Sequence, residues 1–397
     1  MSFDQARACV IERVLAERVF ASPEEVALEC AAGRVLAEEI RADRDYPALA
    51  RSVRDGFAVR AADLPGTLRV IGEVRAGEIF AGQVGTGEAV EIMTGAPVPR
   101  GADAIVMVEH VTRGANGAVT TGRAADRGQF INPRGCEAQA GEAVLTPGKR
   151  LGFADVAMLA AIGKSRVAVC PKPRIALLAT GDEIVPITET PREFQIRNSN
   201  LYSLAAQVAR AGGVPILLPV AKDEYDDTLG LIERGLTADL LLISGGVSAG
   251  KYDLVERVLG DLGAEFYFDR VRIQPGQPLV FGRSADKFFF GLPGNPASTM
   301  VTFEVFARAA VELLGGQSQS DLPLMLATLT RDFHHKPELT RFLPATVCWT
   351  ADGPQLTPIS WRGSGDVPSL TRANAFLMAE AGRTEWKAGD LMRVLLK

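Results

Sequence analysis

Residues 240–253 read LLLISGGVSAGKYD, and this stretch decides the fold of the central part of the chain. Its four leading residues are apolar without alternation, which is typical of a strand covered on both faces of a parallel sheet. The glycines and serines that follow let the backbone approach a ligand, and free N–H groups there can face an anion. Because ligands bind outside the carboxyl ends of strands in open α/β sheets, we predict a ligand-binding loop here. Taken alone, the stretch fits an unliganded strand–helix turn equally well.

Strand and helix patterns alternate from about residue 169 to residue 314, which predicts a central three-layer α/β domain around a parallel sheet. Acidic or Gly-rich loops follow the strands that end near residues 180, 220, 243 and 291. If these strands are parallel neighbours, Asp182, Glu183, Asp223 and Asp253 come together at one edge of the sheet. Mg²⁺ prefers oxygen ligands and is often held by one or two carboxylates plus substrate phosphates. Separate helix caps and surface acids are the alternative interpretation.

The regions on either side of this domain have β-type patterns. Dense glycines separate short β-type runs between residues 64 and 148, which predicts a β-rich domain. Residues 322–397 return to such runs, which predicts a small β-barrel or sandwich. In the first region, Asp55 precedes a glycine and reads by itself as a turn residue, and Thr94 lies in a loop made rigid by two prolines.

Residues 2–20 have the pattern of an amphipathic helix. Ser2 and Gln5 have the spacing of a capping box, and apolar residues recur three and four positions apart. Such a helix packs either on a partner subunit or on its own chain.

Composition narrows the class of protein. A chain of 397 residues is expected to form about two to four domains. The net charge of −5 argues against nonspecific nucleic-acid binding. Five scattered cysteines without a CxxC pair argue against structural zinc and a disulfide framework, which favours a reducing compartment. No uncharged apolar run approaches ~20 residues, and the first 20 residues lack an apolar core of signal-peptide length, so we expect a cytoplasmic protein without a membrane anchor.

The signatures of several common enzyme classes are missing from the sequence. It has no GxSxG, no GxxxxGK[ST] and no suitably placed GxGxxG, which weakens the hydrolase, P-loop and dinucleotide-binding interpretations. The three histidines do not suggest a metal site, since adjacent His334 and His335 would point to opposite sides of a strand.

Eight stretches, in a fixed order, carry a family resemblance. They are SVRDGFAV at 52–59, MTGAPVPRGADA at 93–104, TGDEI at 180–184, RNSN at 197–200, SGGVSAGKYD at 244–253, QPGQPLVFG at 274–282, GLPGNPAS at 291–298, and residues 364–374. With them the sequence resembles the bacterial molybdopterin molybdotransferase (molybdenum insertase) family, whose eukaryotic relatives include the E domains of plant molybdenum insertase and gephyrin.

The resemblance implies a multidomain α/β plus β architecture. Its parts would be a segmented connector and dimerisation domain (1–45 and 135–168), a β-rich domain (46–134), an α/β molybdopterin-binding domain (169–318) and a C-terminal β-barrel (319–397). It also implies a homodimer with active sites formed between the subunits.

The implied activity is that of a molybdopterin molybdenumtransferase. The substrates would be molybdate and adenylylated molybdopterin, the cofactor Mg²⁺, and the products AMP and molybdenum cofactor. Further implied partners are other molybdenum-cofactor biosynthesis proteins or molybdoenzymes, with no role for nucleic acid or a membrane.

The resemblance also assigns candidate site residues. The catalytic positions would be Asp55, Asp182, Glu183, Asp223 and Asp253, with Asp182, Glu183 and Asp253 as metal ligands. The substrate-binding positions would be Thr94, Ser244, Gly245, Gly246, Ser248, Pro275, Gly276, Gln277, Pro278, Pro293, Gly294, Asn295, Pro296, Ser298, Arg341, Ser364 and Ser369. Among these, Gly245, Gly246 and Ser248 match the pterin-nucleotide loop, and Gln277, Pro278, Ser298 and Ser364 match the molybdate pocket.

Several positions depart from the family pattern. Gln274 and Gln277 stand where the family commonly has two lysines, so charge-assisted hydrogen bonds to an oxyanion are lost there. Lys251, Arg270 and Arg272 are nearby cations that can compensate. Other changes are Pro344 for an arginine, Glu137 for an aspartate and Arg54 for a methionine, and Arg341 lies nearby, next to Phe342.

These departures leave two other functions open. One is a catalytically altered paralogue that binds molybdopterin or acts as a scaffold. The other is an insertase that prefers tungstate.

Overall fold

The computed structural model describes residues 1–246 and 254–397, which divide into two compact units. One unit comprises residues 1–37, 147–156 and 166–397, and the other comprises residues 38–146 and 157–165. The α-helices are α1 (Phe3–Glu17), α2 (Phe153–Ala161), α3 (Asn200–Ala211), α4 (Tyr225–Gly235), α5 (Leu254–Asp261), α6 (Pro296–Thr302), α7 (Arg308–Leu314) and α8 (Val367–Arg372). None of those in the described part of the chain combines the length and apolar character that a bilayer crossing requires.

The first unit is built on a mixed sheet. Its strands are β1 (Arg174–Ala179), β2 (Val214–Leu217), β3 (Leu240–Ser244), β4 (Glu265–Phe268), β5 (Val280–Ser284) and β6 (Lys287–Leu292). The spatial order is β2-β1-β3-β6-β5-β4, and the first four of these are mutually parallel. The predicted central α/β domain is confirmed. At one end of the sheet, β5 pairs antiparallel with both β6 and β4. The carboxyl ends of β1, β2, β3 and β6 therefore share one edge.

The continuous apolar run of β3 is explained by burial on both faces. Leu240 and Leu242 belong to a core with α1, α3 and α7. Leu241 and Ile243 belong to the core on the opposite face, with α4 and α5. Because successive strand residues point to opposite faces, every position of this strand is buried, and the domain has three layers.

Helix α1 has the predicted cap. The Ser2 hydroxyl accepts a hydrogen bond from the Gln5 N–H, and the Gln5 side chain accepts one from the Ser2 N–H. The residues buried along it, Phe3, Ala6, Val10 and Val14, belong to the core of the first unit. Of the two packing alternatives, the helix therefore packs on its own chain.

The C-terminal region is a closed barrel rather than a sandwich. Its strands are β7 (Leu324–Leu329), β8 (Thr340–Thr350), β9 (Gly353–Pro358), β10 (Ala375–Ala379) and β11 (Leu391–Leu396). Pairing between β8 and β10 closes the ring of described strands. The short strand Ile273–Gln274 joins this barrel by pairing in parallel with Thr340 and Arg341.

The second unit contains the predicted β-rich structure. Its main sheet has the order Ala104–Met107, Gly56–Val59, Glu88–Ile92, Gly66–Val74, Ala118–Thr121 and Thr112–Arg113. Smaller pairs in this unit are Ile40–Arg41 with Ala143–Leu145, and Arg51–Ser52 with Ile131–Asn132. Smaller pairs in the first unit are Glu24–Ala27 with Arg166–Val169, Ile184–Val185 with Ile196–Arg197, and Phe333–His334 with Glu385–Trp386. The division into four domains stays a prediction.

Candidate active site

A cavity of about 280 Å³ lies at the carboxyl edge of the parallel strands. Its wall includes Thr180 and Glu183 after β1, Ser244 at the end of β3 with Gly245 after it, and Gly294 after β6. Further residues of the wall are Arg197, Asn198, Asn200, Asn295 and Pro296. This is the edge at which ligands bind in open α/β sheets, and the predicted ligand-binding loop begins there. Ser248 and Asp253 lie outside the described residues.

The turn after β3 is shaped by two glycines. Gly245 and Gly246 have φ angles of 94° and 65°, in the left-handed region that favours glycine. A Cβ atom on Gly245 would lie 2.8 Å from the carbonyl oxygen of Thr180. The turn therefore excludes side chains and leaves backbone next to the cavity.

The predicted acidic edge is partly assembled. Gly181 donates a backbone hydrogen bond to Ala221, which ties the loop after β1 to the loop after β2. The Asp182 carboxylate accepts a hydrogen bond from the backbone N–H of Asp223 at 3.2 Å. Glu183 lines the cavity, and no cation of the described residues pairs with it. The Asp182 carboxylate thus contacts the backbone of Asp223, and Glu183 faces the cavity.

These acids fit a cation that arrives with a phosphorylated ligand. Among the described residues, no group of three potential metal ligands is preassembled at this edge. Mg²⁺ commonly takes only one or two carboxylates and completes its shell with phosphate oxygens and water. The exposed carboxylates of Asp182 and Glu183 suit that incomplete shell.

The residues predicted to line an oxyanion pocket lie in α6 or in loops that contact it. Gly276 has a φ of 104°, and a Cβ atom on it would lie 2.4 Å from Cγ2 of Thr302 and 3.6 Å from the carbonyl oxygen of Ser298. From the other side, the carbonyl of Ser364 accepts a hydrogen bond from the N–H of Ala297 at 2.9 Å. The 274–278 loop and the loop at Ser364 therefore both contact α6, and Gln277 is exposed there.

Two predicted substrate contacts have other surroundings. Arg341 pairs in register with Ala379, which belongs to the barrel core, and its Nε is buried without a hydrogen-bond partner among the described residues. Ser369 is 1% exposed and donates its hydroxyl to Asp366, the N-cap of α8, at 2.6 Å. The structure does not bring either residue to the cavity wall, and their roles as substrate contacts stay predictions.

The cations near the 274–278 loop differ in whether their side chains already have a hydrogen-bond or ion-pair partner. Arg272 donates to a backbone carbonyl of residue 338 at 3.0 Å, and Lys251 lies outside the described residues. The side chains of Arg270 and Arg362 are exposed and contact no partner in the described part of the chain. Arg362 lies two residues before Ser364 and is a candidate that sequence reasoning missed.

In the second unit, the structure brings Asp55 and Thr94 together. Oδ1 of Asp55 accepts hydrogen bonds from the Thr94 backbone N–H at 2.6 Å and from its hydroxyl at 2.8 Å. The backbone hydrogen bond first, and the hydroxyl second, lower the pKa of the Asp55 carboxyl from its ordinary value. The contact fixes the loop at Thr94 in one conformation.

We expect the hydroxyl of Thr94 to cause part of the lowering of the Asp55 pKa. Because the pKa of Asp55 is lower in the folded state than in the unfolded state, the contact stabilises the loop at pH values above the unfolded-state pKa. This stabilisation is lost as the pH falls through the folded-state pKa. Thr94→Val should raise the pKa of Asp55 toward its ordinary value, whereas Thr94→Ser should not. An NMR titration of the Asp55 carboxyl carbon measures both, and identical curves for valine and wild type would refute the assignment.

The comparisons with known proteins place this geometry in a family. Residues 1–163 match the MoeA N-terminal region (domain I and II), residues 176–313 the probable molybdopterin binding domain, and residues 327–397 the MoeA C-terminal region (domain IV). A molybdopterin molybdenumtransferase of Bacillus subtilis (strain 168) is 35% identical over 382 residues, which cover 94% of this chain and 89% of the relative. The chain belongs to the molybdopterin molybdenumtransferase family. The resemblance drawn from the eight stretches is thereby confirmed.

Other members of the family agree over the whole length. A molybdopterin molybdenumtransferase of Staphylococcus aureus (strain Mu50) is 31% identical, with 97% of this chain and 94% of the relative covered. Crystal structures of Pyrococcus molybdopterin biosynthesis moeA proteins superpose with TM-scores of 0.79 and 0.72, at 28% and 32% identity. They cover 100% of this chain and at least 98% of their own.

A group of potential metal ligands also lies in the C-terminal region, away from the motifs shared with the molybdopterin molybdenumtransferase family. It consists of exposed Asp332, His334 and Glu385. The ammonium of Lys387 lies 3.2 Å from Asp332 and also contacts Glu385. An ion pair therefore accounts for this group without a metal.

Proposed function

We propose that this chain transfers molybdenum to molybdopterin. It takes adenylylated molybdopterin and molybdate as substrates, requires Mg²⁺, and releases AMP and molybdenum cofactor. Family membership over nearly the full chain, at 35% identity to a named molybdopterin molybdenumtransferase, is the observation that carries the proposal. The cavity at the sheet edge is supporting evidence, because small backbone turns and an unpaired carboxylate suit a phosphorylated ligand.

The proposed roles come from the family resemblance, and the positions of the described residues at the carboxyl edge of the sheet support them. Gly245, Gly246 and Gly294 hold the phosphates of the pterin nucleotide close to the backbone. Asp182 and Glu183, together with Asp253, would hold Mg²⁺, which when bound neutralises charge on the phosphate oxygens. Asp223 keeps Asp182 in place through its backbone N–H.

The oxyanion site is proposed beside α6. Ser298 lies in this helix, and Ser364 and the 274–278 loop each contact it. Gln274 and Gln277 offer neutral donors, so molybdate is held by hydrogen bonds with less charge assistance than lysines provide.

The remaining features of the proposal come from the family. They are a homodimer, a cytoplasmic location, and transfer of the cofactor to other biosynthesis proteins or molybdoenzymes. An altered paralogue or scaffold is not favoured, because Glu183 is retained on the cavity wall.

A reconstituted reaction tests the proposal. Purified protein is mixed with adenylylated molybdopterin, Mg²⁺ and molybdate, and AMP and active cofactor are measured. Molybdate-dependent AMP release is the expected result. Tight binding of the pterin nucleotide without turnover would favour the scaffold instead, and stronger competition by tungstate would indicate a tungstate insertase.

Restoring the missing charge should strengthen molybdate binding. We expect Gln277→Lys to lower the KM for molybdate about tenfold, because the lysine ammonium adds Coulombic attraction to an anion that the neutral amide of glutamine only hydrogen-bonds. Gln277→Glu has the opposite charge at the same position and should raise this KM. Initial rates at varied molybdate measure both, and equal shifts in the two variants would contradict an oxyanion site at this loop.

A further inference from the structure

The RNSN stretch at 197–200 places a buried amide beside the cavity. Asn200 opens α3, is 9% exposed, and contributes to the cavity wall. Its Nδ2 donates to Oγ of Ser244 at 2.9 Å and to the carbonyl oxygen of Gly294 at 2.7 Å. A carbonyl oxygen only accepts hydrogen bonds, so the amide nitrogen must face Gly294. One side chain thus uses both N–H groups to join the end of β3 to the turn after β6.

The other atom of this amide has no such partner. Oδ1 of Asn200 is buried and accepts no hydrogen bond from the described residues. A buried unsatisfied acceptor carries a desolvation cost and requires an explanation. Asn198, two residues earlier and equally buried, has the reverse arrangement, since its Oδ1 accepts from the N–H of Leu201. The side-chain nitrogen therefore makes the hydrogen bonds of Asn200, whereas the side-chain oxygen makes that of Asn198.

The bond to Gly294 orients a neighbouring donor. The peptide between Gly294 and Asn295 is trans, so its carbonyl oxygen and its N–H point in opposite directions. With the carbonyl held by Asn200, the N–H of Asn295 is directed away from α3. This N–H donates to no described residue, and Asn295 lies on the cavity wall.

We propose that Asn200 is a positioning residue for the pterin nucleotide. It holds the turns at Ser244 and Gly294 at one spacing and turns the N–H of Asn295 toward a phosphate oxygen of the ligand. The inference rests on the proposed function, because the ligand is the substrate named there. Nothing in it requires Asn200 to touch the reacting atoms.

The same substitution at the two asparagines tests this role. Asn200→Asp is nearly isosteric but replaces the donating nitrogen by an oxygen, which repels the Gly294 carbonyl. We expect the KM for adenylylated molybdopterin to rise about tenfold or more, with kcat changed less than about threefold, as for loss of uniform binding. Asn198→Asp adds the same charge to the wall of the same cavity but keeps the accepting oxygen, so its KM should stay severalfold below that of Asn200→Asp.

A second variant and a second measurement complete the test. Asn200→Ala removes the donor without adding charge and should raise KM in the same direction, with folding checked by circular dichroism and thermal unfolding. Calorimetric titration with AMP and Mg²⁺ measures binding without turnover. The affinity for AMP should fall among the variants in the same order as the KM for adenylylated molybdopterin rises.

Each outcome then has one meaning. The inference is overturned, while the proposed function stands, if the wild type releases AMP and both Asn200 variants bind and react like it. The same holds if Asn198→Asp loses as much affinity as Asn200→Asp. If the wild type releases no AMP, the proposed function fails, and the calorimetric comparison decides the role of Asn200.

Discussion

Replacing Glu183 with glutamine should slow AMP release at least about a hundredfold, which corresponds to about 2.7 kcal/mol of transition-state stabilisation. Glu183 lies on the cavity wall after β1, and no described cation neutralises it. Glutamine keeps the shape and volume of the side chain but removes its charge, so a divalent ion and its phosphate ligand lose an anionic oxygen ligand. The exposed side chain packs against little, and the fold should survive.

Two comparisons make this result specific. Glu193→Gln removes the same charge from an exposed position outside the cavity wall and should retain most of the activity. Titration with Mg²⁺ should show a higher half-saturating concentration for Glu183→Gln than for the wild type. Near wild-type turnover, or equal losses in the two variants, would remove Glu183 from its assigned role.

The second large effect is expected at Gly276. An alanine there would adopt a φ of 104° and place its Cβ 2.4 Å from Cγ2 of Thr302. Backbone strain contributes about 1–3 kcal/mol and overpacking about 1–3 kcal/mol more, so the folded state should lose about 2–6 kcal/mol. Since the displaced loop carries Gln277, molybdate binding should weaken as well. Urea unfolding and the KM for molybdate measure the two losses.

The contributions of strain and clash can be separated. Gly263→Ala also introduces a side chain at positive φ, 71°, but nothing lies within 4 Å of the new Cβ, so it reports strain alone. Thr302→Ser removes Cγ2 while keeping a hydroxyl that can still donate to the carbonyl of Ser298, and it should partly rescue Gly276→Ala. If Gly263→Ala costs as much as Gly276→Ala and Thr302→Ser gives no rescue, the close contact is not what matters at this loop.

The parts of the fold that were predictable are those in which a local pattern has one structural solution. The unbroken apolar run of β3 is explained by two covered faces, and the spacing of Ser2 and Gln5 by a capping box. The contact between the Asp182 carboxylate and the backbone of Asp223 follows from strand direction, because parallel neighbours place their following loops at one edge. The family resemblance added candidate residues that no local pattern identifies.

The parts that were not predictable depend on contacts between distant residues. The pairing of Ile273–Gln274 with β8 leaves no mark on the apolar pattern of either segment. The face of β8 on which Arg341 lies is set by the register with β10, and a shift of one residue would reverse it. The double hydrogen bond of Asn200 is likewise invisible in the RNSN stretch, because both of its acceptors are far away in the chain.

The 274–278 loop is connected to two sheets, because Ile273–Gln274 pairs with the barrel and the loop continues into the central sheet. Its far end continues into β5 of the central sheet, and its near end is held by Thr340 and Arg341 of β8. A chain that ends between α7 and β7 would keep β4 and β5 on either side of this loop but would lose the pairing of Ile273–Gln274 with β8, with a gain in backbone freedom at each released residue. The C-terminal region would then affect oxyanion binding in two ways, directly through Ser364 and indirectly by fixing the position of the 274–278 loop.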